Sequence, residues 1–393
     1  MSPPPSEHIT DNAPRVSLAH DWLVGMRGGE FVLDRLARLY GPTTLYTLVR
    51  NNQPLSDAIE ACTVRTSALQ RMPGAPGRLR RWYLPLAPLA VERLRVEPCE
   101  LLISTSSSVI KAIHPPDGAA HLCYCHSPAR YIWEQTDDYS VGSARHLRSL
   151  GLRLMRRPFK RWDRRTAARV TRFLANSAHT AARIQRCYGR EAAVVYPPVR
   201  TNEFTPDPGV PRQRWLLVVA ALEPYKRVDL AIGAAQRTGR HLKVIGDGSQ
   251  AAALRAQARR SGAHVEFLGQ VGPDLLREHY RRAAALVFPQ LEDFGIAAVE
   301  AQAAGCPVIA FAGGGALESV TDATGLFFAD QSVDALADAI DRFDRHGPFD
   351  PAACRRNAER FNEAAFDDAI RRHVHELTSH ASAQRTPRRV TTA

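Results

Sequence analysis

The 393-residue chain lacks long apolar runs, paired cysteines and a leader-like N-terminus, and each shortage excludes a class of protein. No apolar run approaches the roughly 20 residues that a membrane-spanning helix needs. The seven cysteines are scattered, and the one close pair, Cys123 and Cys125, has neither zinc-ribbon nor thioredoxin spacing. The first residues are neither basic nor apolar, so we expect no signal peptide. These features predict a reduced chain in the cytoplasm.

Lysine is scarce as well, although the chain is basic. Of 52 Lys and Arg residues only four are lysines, which leaves 48 arginines, and 40 acidic residues bring the net charge to +12. Residues 1–200 carry 29 basic and 16 acidic side chains, a net +13, whereas residues 201–393 carry 23 and 24, a net −1. We therefore expect the first half to meet something anionic.

Apolar runs typical of buried strands alternate with amphipathic helical patterns in both halves of the chain. Predicted strands are residues 16–20, 43–49, 101–104, 121–125, 173–176 and 193–196, then 215–220, 242–245, 264–268, 285–288 and 307–310. Late helical patterns cover residues 333–343 and 352–377. Five prolines in the fifteen residues 197–211 are typical of a linker.

This order predicts an α/β protein with two Rossmann-like domains that face each other across a cleft. The expected divisions are a disordered tail (1–14), an N-terminal acceptor domain (15–198), a linker (199–212), a C-terminal nucleotide-sugar domain (213–347), helices packing back toward the N-terminal domain (348–378) and a disordered tail (379–393).

The most informative motif follows the predicted strand 285–288. Glu292 lies in the loop after that strand, and Glu300 falls one to two turns into the next helix. Two carboxylates can then face one cleft. The N-terminus of that helix favours an anion or a hydroxyl-rich ligand, through the backbone N–H groups of Phe294, Gly295 and Ile296.

This pattern, with its Phe-Gly step and the downstream Gly305-x-Pro307, resembles the Glu-x7-Glu signature of family 4 glycosyltransferases, which are retaining enzymes of the GT-B fold. The resemblance extends over residues 15–377. It implies that Glu292 contacts hydroxyls of the donor sugar and that Glu300 contacts the ribose of the nucleotide.

A second motif, residues 220–229, contains Lys226 at a strand-to-helix turn. A compact ammonium there can neutralise a diphosphate leaving group. The segment resembles the family's Arg-Leu-x-x-x-Lys motif, but Ala221 stands at the position of the arginine. Either Arg227 or an arginine of the first domain takes its place, or the diphosphate is bound more weakly.

The first domain has looser motifs. The segment His126-Ser-Pro-x-Arg130-Tyr resembles a pattern of a bacterial branch of the same family, which implies that His126 lies beside the donor sugar and, together with Lys226 and Glu292, takes part in catalysis. Gly28 and Gly29 are expected to bring backbone N–H groups close to the diphosphate. We assign Arg130 and Asp21 to the acceptor; a capping or turn role for Asp21 stays open.

The turn Gly246-Asp-Gly248 mimics a dinucleotide-binding fingerprint, with Glu266 twenty residues further on. It is the basis of one alternative, an NAD-dependent oxidoreductase. Under the family resemblance the same glycines border the donor and Val271 touches its base. The second alternative, a noncatalytic glycan- or lipid-binding homologue, is supported by Ala221.

Several catalytic motifs are missing. The sequence has no Asp-x-Asp pair, which argues against the metal-bridged diphosphate site of the other large glycosyltransferase fold, and it has no P-loop, H-E-x-x-H or G-x-S-x-G. We expect neither a metal nor another cofactor, because the nucleotide sugar is a substrate.

The basic excess is concentrated in residues 145–172, which hold eleven basic side chains against Asp163, with leucines at helical spacing. A basic amphipathic helix fits anionic lipid, and residues 78–90 add a second basic and apolar segment. An Arg-rich solvated helix is the alternative. Nucleic acid is not expected as a partner. The predicted membrane-facing residues are Arg148, Arg156, Arg157, Lys160, Arg161 and Trp162.

Taken with the resemblance, these motifs predict a retaining, metal-independent glycosyltransferase that moves a hexose, mannose from GDP-mannose by preference, onto a lipid-linked or polysaccharide acceptor. The resemblance points to bacterial cell-surface glycan synthesis. We expect the enzyme on the inner face of the plasma membrane, bound peripherally to anionic lipid.

Overall fold

The structure is a computed structural model that describes residues 14–133 and 145–385. By spatial clustering the chain divides into two compact units. Unit 1 comprises residues 1–125, 157–173 and 371–393, as far as they are described, and unit 2 comprises residues 126–156 and 174–370. The domain divisions expected from the sequence stay predictions, and the predicted tail 1–14 lies, except for its last residue, outside the described residues.

Two sheets organise the fold. The strands of the first sheet are β1 (Val16–Leu23), β2 (Thr44–Arg50), β3 (Thr63–Thr66), β4 (Leu101–Ser106), β5 (Ala120–Cys125), β6 (Arg172–Ala175) and β7 (Ala192–Val194), and those of the second are β8 (Leu216–Val219), β9 (Leu242–Ile245), β10 (Val265–Gly269), β11 (Ala285–Phe288), β12 (Val308–Phe311) and β13 (Gly325–Phe328). The strand orders are β3-β2-β1-β4-β5-β6-β7 and β10-β9-β8-β11-β12-β13. Within the second sheet, and from β3 to β5 in the first, neighbouring strands are parallel.

Helices connect these strands, as parallel pairing requires. They are α1 (Gly28–Tyr40), α2 (Asp57–Glu60), α3 (Ala87–Glu92), α4 (Arg130–Trp133), α5 (Arg145–Thr166), α6 (Ala178–Tyr188), α7 (Val228–Thr238), α8 (Ala251–Ser261), α9 (Pro273–Arg282), α10 (Ile296–Ala303), α11 (Ala316–Ser319), α12 (Val333–His346), α13 (Pro351–Glu359) and α14 (Glu363–Arg385).

Helix ends follow local sequence signals. The Ser177 hydroxyl accepts the Thr180 N–H at the start of α6, and Ser332 does the same for Ala335 in α12. Gly189 ends α6 in the left-handed region, which costs glycine little.

The second sheet is covered on both faces, so its strands read as continuous apolar runs. Along β8, Leu216 and Val218 pack into one buried cluster, whereas Leu217 packs into the other. This alternation is the period of two that a strand imposes. The loops at the carboxyl ends of these strands contain the candidate site residues.

The sequence predictions of the α/β class and of two Rossmann-like sheets are confirmed. Every predicted strand is present with small shifts at its ends. The strands β3 and β13 were missed, because each is a four-residue edge strand that shows only part of its surface to the core.

Two predictions about the C-terminal region are corrected. The single helical pattern 352–377 is two helices, separated at residues 360–362, where Phe361 turns into the core and Asn362 accepts the Ala365 N–H. The tail expected from residue 379 is helical as far as Arg385, while residues 386–393 lie outside the described part.

Candidate functional site

Three loops at the carboxyl end of the second sheet contain the residues of the candidate site. They follow β8, β11 and β12, which are neighbours in the sheet, so their carboxyl ends meet at one edge. The loop after β8 carries Lys226, the loop after β11 carries Glu292 and Asp293, and the loop after β12 contains three consecutive glycines.

Lys226 forms an ion pair with Glu292, and both side chains are largely buried. Lys226 ends the 3-10 turn Pro224–Lys226 after β8. Burial, followed by the positive charge of Arg130, lowers the pKa of Lys226, and Asp293 opposes this effect. The charged form of Lys226 is therefore destabilised by its surroundings, and a bound anion would stabilise it.

Asp293 binds two guanidinium groups, those of Arg130 and Arg183. Burial alone would raise the pKa of Asp293, but these two positive charges outweigh it and hold the pKa below its usual value. Lys226, Arg130 and Arg183 thus share two carboxylates, and the cluster carries one positive charge in excess when Lys226 is protonated.

Tyr225 brings two of the cations together. The guanidinium carbon of Arg130 lies 5.9 Å from the centre of the Tyr225 ring, and the Lys226 Nζ lies 5.2 Å from it. An aromatic face can hold cations at such distances. The result is a concentration of positive charge at the edge of the sheet, beside a carboxylate that can accept hydroxyl groups.

Glu300 lies on α10, buried behind the loop that carries Glu292. The Tyr280 hydroxyl donates to its Oε2 at 3.3 Å, and Arg200 Nη2 lies 3.7 Å from its Oε1. Burial raises the pKa of Glu300 to about 7, although Arg200 and Tyr280 act in the opposite direction. The Glu300 carboxyl group is thus buried beside two polar partners that compensate only in part for the loss of water.

Gly295 precedes α10 in the left-handed region, with φ 94°. A Cβ there would lie 2.7 Å from Phe288 Cζ, so the turn needs glycine. Ile296 is the first helical residue, so the helix begins one residue after Gly295, near which the sequence predicted its start. The Phe294 side chain packs in the core against Phe361, with 5.3 Å between the ring centres. Its predicted contact with the donor therefore depends on its backbone N–H alone.

Sequence reasoning missed the three glycines 313–315. The Gly315 N–H donates to the Glu292 carbonyl oxygen at 2.9 Å, and a Cβ on Gly314 would lie 2.2 Å from that same oxygen. The glycines therefore let two loops touch backbone to backbone and hold Glu292 in place. A run of glycines directly after a predicted strand was the available signal.

The predicted donor glycines of the β9 turn have a packing role in the structure. A Cβ on Gly246 would lie 1.9 Å from the Ala220 carbonyl oxygen, and one on Gly248 would lie 2.5 Å from that of Leu222. Close approach of two backbones thus explains both glycines without a dinucleotide. Val271 is partly buried against the second cluster.

Arg227 is one candidate for the cation missing at Ala221. It adopts φ 49°, and its guanidinium is engaged by Asp229, with Nε 3.2 Å from Oδ1. Arg130, by contrast, belongs to unit 2 and lies beside Lys226. Its assignment to the acceptor stays a prediction, and the structure shows its side chain in the cationic cluster, paired with Asp293.

The predicted role of Asp21 at the acceptor is wrong. Asp21 is fully buried, and its two carboxylate oxygens accept four backbone N–H groups at 2.6–2.8 Å, those of Ser107, Ser108, Val109 and Ile110. A saturated carboxylate of this kind stabilises a turn. The capping role that the sequence left open is the observed one.

Other predicted residues stay predictions. Gly28 and Gly29 open α1 in unit 1 and are at least partly exposed. His126 follows β5, and its carbonyl oxygen accepts from Asn176 Nδ2 at 3.1 Å. Within residues 14–133 and 145–385, no cluster of three or more His, Cys, Asp or Glu side chains is placed to hold a metal ion.

The predicted membrane-facing helix is α5, whose side chains are described from Arg156 onward. Trp162 is partly buried: its indole N–H donates to Glu92 Oε1 at 2.8 Å and its ring packs against buried Phe159, and its predicted membrane contact stays a prediction. Arg156 donates to the Ile132 carbonyl oxygen at 3.0 Å. Lys160 is half-buried, Arg157 and Arg161 are exposed, and the side chain of Arg148 lies outside the described part.

Two family models match the chain, one on either side of residue 200. The model "Glycosyltransferase Family 4" covers residues 32–203, and the model "Glycosyl transferases group 1" covers residues 201–361. Solved structures with 17–18% identity share the fold: HepE of Anabaena in complex with UDP (TM-score 0.67, covering 92% of this chain and 99% of that one) and a sucrose-phosphate synthase of Thermosynechococcus elongatus (TM-score 0.68, 93% and 100%).

Fold and family models agree: the chain belongs to the family 4 glycosyltransferases and has the GT-B fold. A similar curated protein is the GDP-mannose-dependent alpha-(1-6)-phosphatidylinositol monomannoside mannosyltransferase of Mycobacterium tuberculosis, 34% identical over 192 residues. A D-inositol 3-phosphate glycosyltransferase of Geodermatophilus obscurus is 33% identical over 192 residues. The matches cover 42% and 41% of this chain, and the chain spans about half the length of these relatives, 50% and 42%.

Proposed function

We propose that the chain is a retaining, metal-independent glycosyltransferase that transfers mannose from GDP-mannose to a lipid-linked or polysaccharide acceptor in bacterial cell-surface glycan synthesis. The observation that carries the proposal is the Lys226–Glu292 pair, with Arg130 beside it and Glu300 on the following helix. The donor preference rests on the named activity of the mycobacterial relative, and the UDP complex of the Anabaena protein makes UDP-sugars the competing donors.

The leaving diphosphate would be bound where positive charge is in excess. As phosphate approaches Lys226, the ammonium exchanges Glu292 for a phosphate oxygen, which stabilises the charge that develops on the leaving group. Glu292 then accepts hydrogen bonds from hydroxyls of the sugar. This exchange of partners couples donor binding to the positioning of the sugar, with His126 on its other side.

Glu300 would hold the nucleoside through the ribose hydroxyls, and the N–H groups at the start of α10 would face the diphosphate. The released diphosphate oxygen can take the proton of the acceptor hydroxyl on the same face of the sugar. No side-chain nucleophile is then required. The metal-independent form of the proposal is supported by the sequence, which has no Asp-x-Asp motif.

The test is a binding and turnover screen of the full chain with GDP-mannose, UDP-glucose, ADP-glucose and dTDP-glucose. We expect the tightest binding and the fastest donor hydrolysis with GDP-mannose. Lys226→Ala and Glu300→Ala should each lower turnover by about 100-fold or more, as loss of a group that stabilises transition-state charge does. The matched control is Lys243→Ala, whose lysine pairs with Glu266 at 3.0 Å on β9 and should leave turnover unchanged.

The outcomes separate the alternatives. Retained turnover in both site variants would refute the assignment of the site. Nucleotide-sugar binding without turnover would favour the noncatalytic homologue, and binding of NAD in place of any nucleotide sugar would favour the oxidoreductase.

For the membrane, we propose that unit 1 binds anionic lipid through two neighbouring elements. Four apolar side chains of residues 79–89 are 43–51% exposed: Leu79, Trp82, Leu86 and Leu89. The C-terminal half of α5 lies beside them, because Trp162 of α5 donates a hydrogen bond to Glu92 of α3. It exposes four arginines, namely Arg157, Arg161, Arg164 and Arg165. Exposed apolar area next to positive charge fits an anionic lipid surface.

A further inference from the structure

Arg130 and Lys226 come from distant parts of the sequence and converge at the same edge of the sheet. Arg130 opens α4 just after β5, whereas Lys226 follows β8, and the positive charge of Arg130 acts directly on Lys226. Both lie around the ring of Tyr225. Bringing two like charges together in a largely buried place costs free energy, which a bound anion would return.

Asp293 holds Arg130 in this position. It binds the guanidinium groups of Arg130 and Arg183, and the Arg183 side chain is 2% exposed, so the arrangement is anchored in the interior of unit 2. A carboxylate shared between two guanidinium groups neutralises only one of them. The excess positive charge is thus kept on the side of Lys226 and Tyr225.

Ala221 shows why a second cation is needed here. It is exposed in the loop after β8, five residues before Lys226, and its methyl group can bind no phosphate. Arg227, the nearest arginine in sequence, pairs with Asp229 on α7, whereas Arg130 lies over the same Tyr225 ring as Lys226. Among the described residues, Arg130 is the arginine whose charge acts on Lys226.

We propose that Arg130, positioned by Asp293, is the second diphosphate-binding cation of this chain and takes the place that Ala221 leaves open. A planar guanidinium presents paired N–H groups that match two phosphate oxygens, whereas Lys226 contributes a point charge. The inference rests on the proposed function, because it assumes that the cluster binds a nucleoside diphosphate.

Calorimetric titration of the full chain with GDP, UDP and guanosine tests the inference. Arg130→Met should weaken GDP or UDP binding by about 10- to 100-fold, the usual range for a lost charge-assisted hydrogen bond, and should leave guanosine binding unchanged. Arg237→Met is the matched control: its exposed guanidinium, in the last turn of α7, pairs with Asp334, and the variant should bind as the unaltered chain does. Adding Ala221→Arg to Arg130→Met should restore most of the lost affinity, which a merely structural role of Arg130 would not allow.

If Arg130→Met does not fold, Arg130→Lys keeps the charge and loses the planar fork, and we expect several-fold weaker binding of the diphosphate with guanosine binding unchanged. Diphosphate affinity unchanged in the folded variant, or guanosine affinity lost in parallel, would overturn the inference and leave the proposed function standing. An unaltered chain that binds neither GDP nor UDP would overturn both.

Discussion

At the scale of single residues, burial of the Glu300 carboxyl group bears both on the stability of the fold and on the function proposed for the site. The carboxyl group is enclosed by α10 and faces Tyr280 and Arg200, which do not compensate fully for the loss of water. A fold optimised for stability alone would place an apolar side chain there. We attribute the free-energy cost of burying this carboxyl group to the ligand contact proposed for it.

This cost depends on pH. The pKa of Glu300 is about 7 in the folded chain, against 4.5 for an ordinary glutamate, so the folded chain holds the proton more tightly than the unfolded chain. The stability that Glu300 contributes is therefore complete below pH 4.5 and is lost as the pH rises through 7. Relative to Glu300→Gln, the unaltered chain should lose up to about 1.4 kcal/mol per pH unit in this window.

Urea unfolding of both proteins at pH 5, 6, 7 and 8 measures the difference. The control is Glu278→Gln, whose carboxylate is exposed and pairs with Arg282 on α9; its stability should run parallel to that of the unaltered chain. Parallel curves for Glu300→Gln as well would contradict the raised pKa.

At the scale of elements, a buried ion pair joins α5 to the turn that follows β4. Lys111 Nζ lies 2.9 Å from Asp163 Oδ1 and donates to the Asp163 carbonyl oxygen and to Thr166, and both charged side chains are essentially inaccessible to solvent. Together with Trp162 and Phe159, Asp163 defines the inward face of a helix that looks uniformly basic in sequence. This acidic residue thus ties the C-terminal half of α5 to the turn that contains Lys111.

We predict that Lys111→Met lowers the free energy of unfolding by about 3–5 kcal/mol, because it removes the ammonium that pairs with the buried Asp163 carboxylate. The double variant Lys111→Met/Asp163→Leu should regain most of this loss. Lys243→Met removes a partly exposed pair with Glu266 and should cost less than about 1 kcal/mol. Equal losses for the two lysine variants, measured by urea unfolding, would show that α5 does not depend on the pair.

At the scale of the whole molecule, unit 1 combines exposed apolar side chains with exposed arginines in neighbouring elements. These are the apolar side chains of residues 79–89 and the arginines in the C-terminal half of α5, whereas the Lys226 cluster belongs to unit 2. Among the residues that the structure describes, no helix is long and apolar enough to cross a membrane.

Co-sedimentation with vesicles tests this attachment. Binding to phosphatidylglycerol vesicles should exceed binding to phosphatidylcholine vesicles and fall as salt rises, since charged surfaces are screened. Leu86→Ser/Leu89→Ser should reduce binding several-fold, while Leu275→Ser, an exposed leucine of unit 2, should not. Equal binding to neutral vesicles would rule out the charge-based proposal.

Particular residues show which features of the fold and of the site can be predicted from the sequence. The strands of both sheets follow from apolar runs, because a buried parallel strand leaves a continuous local signal. Lys226, Glu292 and Glu300 came from motifs within short segments. By contrast, Asp21 was assigned to the acceptor, since its position in a loop does not show which side of the segment meets the core.

By itself, the sequence determined the α/β class, the two Rossmann-like sheets and the family, because all three are carried by local periodicity and short motifs. Only the tertiary structure decided that Arg130 and Asp293 meet beside Lys226, that Asp21 is saturated by backbone N–H groups, and that Asp163 is the buried partner of Lys111. The physical reason is that charge pairing and desolvation depend on distances between segments far apart in the chain, which no local pattern encodes.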